Sequence, residues 1–368
     1  MKKTDVFDYL QWRGDLTFEQ SAFNEIDALI LSVFAYLDFS SARNGRTLSF
    51  QAAVDSINEM SDEMKFDGPF AMMRSVVDLA ARAALSPRFK DMDVSHFSSI
   101  TEEEREIQFG AVTFRLSDGT AFLSFRGTDN TLVGWKEDLN MCFTEEIPSQ
   151  IEAAKYAAEV AEDIGMPMRL GGHSKGGNLA IWAGTHLAPE YQKDILCIYN
   201  NDGPGFSEKF LKSSIYLGVR ERIFSFVPEA SIVGVLMEHG EYQTICSFNA
   251  SVLQHNPFSW VVKRTHFVYV GDRSVSARKF EKSVNSWIRS MTAEEREELV
   301  ETIYDILVSS NAKTIDDLDK AKVKSFLSMH RTFREMGIKK QAQLMMSLSK
   351  LFFNSDVLIG SGDDSHGH

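Results

Sequence analysis

The chain has 368 residues, 43% hydrophobic and 25% charged, a composition that supports a sizeable globular core and is long enough for one large α/β domain with helical additions or for two domains. Its formal net charge is −13 at pH 7 and no block of Lys and Arg compensates, which excludes nucleic acid or an anionic membrane surface as a partner held by bulk charge. Three widely spaced cysteines, Cys142, Cys197 and Cys246, make no CxxC pair and no metal spacing, so they read as reduced thiols.

Taken in chain order, Lys2 and Lys3 supply the basic start of a signal peptide, but Asp5, Asp8 and Arg13 interrupt the apolar run that should follow. The most apolar stretch, residues 26–39, is too short to span a bilayer and carries Asp27 and Asp38. The expected location is cytoplasmic, with no integral membrane segment. Residues 18–37 place Phe23, Ile26, Leu29, Ile30 and Phe34 at helical spacing, and residues 69–85 repeat that kind of pattern with Met72, Met73, Val76, Val77, Leu79 and Ala80. From Ile107 the period changes to two: residues 107–116 alternate, Ser117-Asp118-Gly119 turns, and residues 121–125 return as a second strand.

Strands and helices then alternate. A helix is expected over 150–164, a strand over 168–172, a helix over 176–187, a strand over 195–199, a helix over 206–216, and strands over 222–227 and 242–248. That order points to a parallel sheet covered on both faces. Beyond Ser274 the strands stop. Thr292 and Glu295 form a capping box for a helix to Val308, Thr314-Ile315-Asp316-Asp317 opens another, and a last amphipathic helix carries Leu344, Met345, Leu348, Leu351 and Phe352. The small polar tail 361–368 is expected to be disordered.

The chemistry centres on Gly172-His173-Ser174-Lys175-Gly176, a GxSxG pentapeptide between an expected strand and an expected helix. A nucleophile on so sharp a turn needs tiny residues two before and two after it. The bland alternative, a phosphate loop, lacks the GxxxxGK[ST] pattern. Upstream, Phe125-Arg126-Gly127-Thr128 ends a strand where an oxyanion donor is wanted. Backbone N–H groups of Thr128 and Lys175 could then hold a tetrahedral oxyanion, although the same segment could equally be a tight turn with a structural Arg126.

These motifs, with Gly134-Trp135-Lys136-Glu137-Asp138 and Asn201-Asp202-Gly203-Pro204-Gly205-Phe206, resemble the class 3 lipase branch of the α/β hydrolases. More closely, they resemble an uncharacterised bacterial family related to it. The resemblance covers about residues 17–270 and implies the fold and a serine hydrolase inventory, but no established substrate. One departure is Lys175, where class 3 lipases usually carry leucine; an ammonium at the mouth of the site would disfavour a plain triglyceride.

A serine hydroxyl needs a general base, and the base an orienting acid, in the chain order Ser, acid, His for this fold. His186 lies on the helix after the nucleophile, and His239 and His266 sit where core or surface imidazoles are the default. His255, in a loop just after the strand at 242–248, occupies the catalytic place. For the acid, Ser231 stands at the position where the resembled lipases carry aspartate, which leaves Glu229 nearby and Asp202 at the end of the preceding strand. Asp202 is favoured because a strand end is rigid, against the alternative that it only fixes its Gly-Pro-Gly turn.

The reading is an α/β hydrolase with an N-terminal helical segment (1–100) packed on the core, a hydrolase core (101–273), a C-terminal helical extension (274–358) and a disordered tail (359–368). It would cleave an ester or thioester of a small acyl or lipid-like molecule through an acyl-enzyme on Ser174, with no metal or organic cofactor. A non-catalytic binding or scaffold protein on the same fold stands as the rival, as does an acyltransferase or peptidase with the same triad.

Overall fold

A computed structural model describes residues 3–60, 70–129, 131–141, 144–231, 233–271, 273 and 275–309. The expected helix opening at Thr314, the last amphipathic helix, the polar tail and Cys142 lie outside these residues. Helix α1 (Val6–Arg13) starts on a capping box between Asp5 and Asp8. Helix α2 (Glu25–Phe34) starts on another, in which the Asn24 side chain accepts from the backbone of Ile26 and Asp27 and Asp27 caps Asn24 in return. The helical period at 18–37 therefore materialises only from Glu25; the residues before it turn around Thr17 and Gln20.

After β1 (Leu48–Ser49) come α3 (Phe50–Glu59) and α4 (Phe70–Leu85). Strand β2 (Asp93–Glu102) was not foreseen: it reads Asp-Val-Ser-His-Phe-Ser-Ser-Ile, with four hydroxyl or imidazole side chains. A bulge between Ser95 and Ser98, with His96 at φ 53°, breaks its alternation. The expected hairpin follows as β3 (Ile107–Arg115) and β4 (Ala121–Phe125).

Helices α5 (Leu132–Asn140) and α6 (Pro148–Ile164) cross over to β5 (Met168–His173), and α7 (Lys175–His186) with the single turn α8 (Pro189–Gln192) leads to β6 (Ile195–Asn201). Proline at the first position of α6 and Gly165 at φ 55° after its end punctuate that crossover as proline and glycine should. The helix expected over 206–216 is two short ones, α9 (Glu208–Leu211) and α10 (Ser214–Val219), because Ser207 and Ser213 each cap a new start with the side chain. Strands β7 (Ile223–Pro228) and β8 (Gln243–Ile245) complete the sheet. A small ribbon of β9 (Val262–Lys263) and β10 (His266–Phe267) follows, then α11 (Val275–Arg289) and α12 (Ala293–Val308).

The eight strands β1 to β8 lie in sequence order, the first four antiparallel to their neighbours and β4 to β8 parallel. Alternate side chains feed two cores. Val112, Phe114, Phe122, Tyr199 and Phe226 pack with α1 to α4, while Ile107, Phe109, Ala111, Leu123, Phe125 and Leu170 pack with α6, α7 and α10 on the other face. A mostly parallel sheet with helices on both faces, and a strand–turn–helix at its centre, is the α/β-hydrolase architecture.

Helix α2 is buried on every side against this sheet. Its one charged core residue, Asp27, meets Arg88 at 2.5 and 2.6 Å and accepts from the Tyr9 hydroxyl at 2.8 Å. Arg88 also donates to the carbonyls of Leu16, Thr17, Ser21 and Ala22. At the other end of the chain, the capping box of Thr292 and Glu295 opens α12 as expected. That helix docks on α5, where Glu301 meets the buried ammonium of Lys136 at 2.8 Å.

Candidate active site

The carboxyl ends of β4, β5 and β6 and the loop after β8 converge on one cavity of about 400 Å3, the usual place for a site on an open α/β sheet. Ser174 stands between β5 and α7 at φ 59° and ψ −136°, a backbone conformation that costs a non-glycine residue energy and persists only where its surroundings enforce it. The glycines of the motif explain how. A Cβ on Gly172 would lie 2.2 Å from the backbone of Gly176, and one on Gly176 would lie 2.1 Å from the Phe125 carbonyl oxygen. β4, the turn and the first turn of α7 are therefore in direct backbone contact, and a methyl group at either position would push them apart.

The asparagines around the turn hold it to β6. Asn178 donates to the carbonyls of Pro204 and Gly205, Asn201 donates to the carbonyl of Gly172, and the side chain of Asn200 accepts from the N–H of Gly203. Asp202, next after β6, has φ 58° and is fully buried. Its Oδ2 accepts from His255 Nδ1 at 2.7 Å and from the Ser231 hydroxyl at 2.7 Å. Burial pushes the Asp202 carboxyl up, while the His255 and Ser231 hydrogen bonds and the charge of Arg273 pull it back. Arg273 donates to the Ser231 carbonyl at 2.7 Å, so it also fixes the loop that carries this hydroxyl.

With Nδ1 taken by Asp202, the Nε2 edge of His255 is left to the cavity, whose wall His255 shares with Ser174. The histidine is held from behind. Its carbonyl accepts from His173 Nε2 at 2.9 Å, and His173 Nδ1 meets the Tyr36 hydroxyl at 3.1 Å. A carbonyl can only accept, so His173 carries its proton on Nε2, and Tyr36 donates to Nδ1. Burial, and the neighbouring His255, keep His173 neutral by lowering its pKa well below the ordinary value. Gln254 pins the same turn by accepting from the N–H of Ala230 and, through its carbonyl, from the Trp260 indole.

Thr128 follows β4 on the opposite wall. Its hydroxyl donates to Asp138 of α5, and burial pushes the Asp138 carboxyl up to about 6. Gly127 lies so close to Ser174 that a Cβ there would come within 2.2 Å of the Tyr36 hydroxyl and 3.1 Å of Ser174 Cβ. Arg126 is buried and structural, donating to Ser99 and to the carbonyl of Phe109. The rest of the lining is mostly apolar, with Met72, Leu139, Met141, Leu236 and Met237 and with Trp135 at its edge, while Asp129 and Asp138 add two carboxyl groups to the wall.

Lys175 requires a correction. The sequence places its ammonium at the mouth of the site; the structure places it underneath, with the side chain 1% exposed. Nζ donates to the Gln108 carbonyl at 2.9 Å, to Gln108 Oε1 at 2.7 Å and to Glu137 Oε2 at 2.9 Å. A buried lysine is tolerated because these acceptors and the Glu137 charge replace its water. The argument against an uncharged glyceride falls with the charged mouth on which it stood.

A family model described as Mbeg1-like matches residues 83–305, more than half of the chain. The chain belongs to the Mbeg1-like family. No curated protein matches it. Among solved structures this Mbeg1-like chain is similar to the native Rhizomucor miehei lipase propeptide complex, with 15% identity over 70% of this chain and 94% of that one and a TM-score of 0.39. It is also similar to a deletion mutant of that complex (16% identity, 61% and 86% covered, TM-score 0.38) and to an M37 lipase (14% identity, 58% and 70% covered, TM-score 0.38).

In this Mbeg1-like chain Ser174, His255, Thr128 and Lys175 all line one cavity, and Asp202 stands behind it on His255. Glu229 follows β7, and the Nδ1 edge of His255 belongs to Asp202 instead. His186 is remote, stacked on Trp182 in α7. Sequence reasoning missed Tyr36, Gln108, Glu137 and His173. Glu137 and His173 stand inside motifs that were read, but as spacers; Tyr36 and Gln108 carry no local signal, because their roles arise from contacts with distant strands.

Proposed function

We propose that this chain is a serine hydrolase of the esterase or lipase-like kind, cleaving a carboxylic ester or thioester through an acyl-enzyme on Ser174. The observation that carries the reading is the 2.7 Å bond from His255 Nδ1 to a buried Asp202, in a histidine that shares its cavity with a serine held at φ 59°. In the reaction His255 takes the proton of the Ser174 hydroxyl as the oxygen attacks the acyl carbon. Asp202 keeps the imidazole proton on Nδ1 and offsets the charge that the ring acquires. The backbone N–H groups of Thr128 and Lys175 receive the carbonyl oxygen as it becomes an oxyanion. His255 then returns the proton to the leaving oxygen or sulfur, and water repeats the sequence to free the acid.

A lining that is mostly apolar and rich in methionine suits an uncharged acyl group of variable shape, and the carboxyl groups of Asp129 and Asp138 disfavour an anionic one. Among the described residues no helix is long and apolar enough to cross a membrane, so a lipid-like substrate would have to reach the cavity without a membrane-spanning helix drawn from those residues. The test is labelling with a fluorophosphonate, followed by a panel of acyl esters of varied chain length. Wild type should label and turn over, Ser174→Ala should do neither, and His255→Ala should label at a small fraction of the wild-type rate while remaining folded. Equal labelling of wild type and Ser174→Ala, or none of either, would leave a non-catalytic binding protein as the better account.

A further inference from the structure

Lys175, directly after Ser174, is a fully buried lysine, and its surroundings point to a use for it. The ammonium has three hydrogens, and three acceptors surround it at 2.7 to 2.9 Å: the carbonyl and Oε1 of Gln108, and Oε2 of Glu137. Such a group is fully satisfied and held in one orientation. Its partners are then engaged on both sides of Thr128. Gln108 Oε1 also accepts from the N–H of Asp129 at 3.3 Å, and Gln108 Nε2 donates to the carbonyl of Gly127 at 3.5 Å. Glu137 accepts from the N–H of Gln108 at 3.1 Å and from the N–H of Ser149 at 2.9 Å, which ties α5 and the start of α6 into the same cluster.

We propose that the Lys175 side chain is a positioning residue that locks residues 127–129 to the Ser174 turn, so that the two oxyanion donors are fixed as a single unit. This rests on the hydrolase reading above. One donor is the N–H of Lys175 itself; the other, the N–H of Thr128, lies between the two backbone groups that Gln108 holds. An apolar side chain at 175 would leave Gln108 Oε1 without its strongest donor and Glu137 buried without a counter-charge. Thr128 would then be restrained mainly by its hydroxyl bond to Asp138. The ion pair therefore acts on transition-state binding, because donors matter most where the oxyanion forms and lose effect when displaced by about an ångström.

The experiment compares wild type with Lys175→Met/Glu137→Gln, which removes both buried charges together and keeps an acceptor at 137. Activity on a p-nitrophenyl acyl ester is read as kcat and KM, and affinity is measured for a trifluoromethyl ketone, which forms an oxyanion on the serine. The double variant should keep KM within about threefold and lose between about ten- and a hundredfold in kcat, with ketone affinity falling in parallel. If that variant does not fold, Gln108→Leu carries the test, since it cuts the link to residues 127–129 and leaves the ion pair; it should show the same parallel loss. A folded variant with wild-type kcat and ketone affinity overturns the proposal and leaves the hydrolase reading intact. A wild type that neither turns over ester nor binds the ketone overturns both.

Discussion

Asp202 is held by three devices at once: a backbone bond to Phe226, the Ser231 hydroxyl, and the close approach of Gly234, where an added Cβ would fall 2.0 Å from its Oδ1. On the proposed chemistry, Asp202→Asn should lower kcat/KM by about a thousandfold or more through the wrong imidazole tautomer. Glu229→Gln should change it little. A large loss from Glu229→Gln with a small one from Asp202→Asn would reverse the assignment. Rigidity at a strand end was the sequence argument for Asp202, whose Oδ2 lies 2.7 Å from His255 Nδ1. Ser231 was noticed only as a missing aspartate, because nothing in a linear sequence says that a serine one strand away will share the acid. Asp138 makes a different prediction. Its carboxyl is raised to about 6 when folded, from about 3.8 as a free side chain. Below pH 4 both states are protonated, so the site costs nothing there. As pH rises through 6 the unfolded chain has already lost its proton and stability falls. Asp138→Asn should therefore melt above wild type at pH 7 to 8, with the gap closing by pH 4. A gap that is constant from pH 4 to 8 would count against a raised Asp138.

At the scale of elements, α6 has its buried residues at helical spacing, β3 and β4 are joined by a recognisable turn, and α7, buried along nearly its whole length, was legible from its place after the GxSxG turn and not from any period. β2 was not, since its serines and a bulge at His96 hide the alternation, and its partners are supplied by β3. Helix α2 was legible as apolar on one face but not as buried all round, since a carboxylate two residues into it, Asp27, gives no sign in the sequence of a buried partner. Asp27 is instead neutralised by Arg88, 61 positions later. Arg88→Met would strand that carboxylate and release four backbone carbonyls. It should cost about 3–5 kcal/mol, read as a shift in the denaturant midpoint with little change in slope. A loss below about 1 kcal/mol would mean that the pair is no more than a surface-like contact.

For the whole molecule, the N-terminal helices are half of one core. Ser32 of α2 accepts from Asn201 at 3.2 Å, Ser124 of β4 donates to the Leu31 carbonyl at 2.8 Å, and Tyr36 reaches His173, next to Ser174. A chain begun at Leu48 should therefore fail to fold cooperatively and should bind a hydrophobic dye, even though it keeps every residue of the matched family segment. A soluble fragment with a sharp melting transition and wild-type esterase activity would show that these helices are an accessory layer.

The place of α2 in the chain has a consequence for biosynthesis. It leaves the ribosome early, yet the strands that bury it, β4 to β6, are made much later and end at Asn201. At about 5–20 residues per second, roughly ten to thirty seconds separate the two. For that interval a ten-residue segment with nine positions destined for the interior has only the neighbouring helices α1 and α4 to pack on and lacks the sheet. Its sheet-facing side is then open to chaperones or to transient non-native collapse, and the cavity that Ser174 and His255 share cannot form until residue 255 has cleared the exit tunnel.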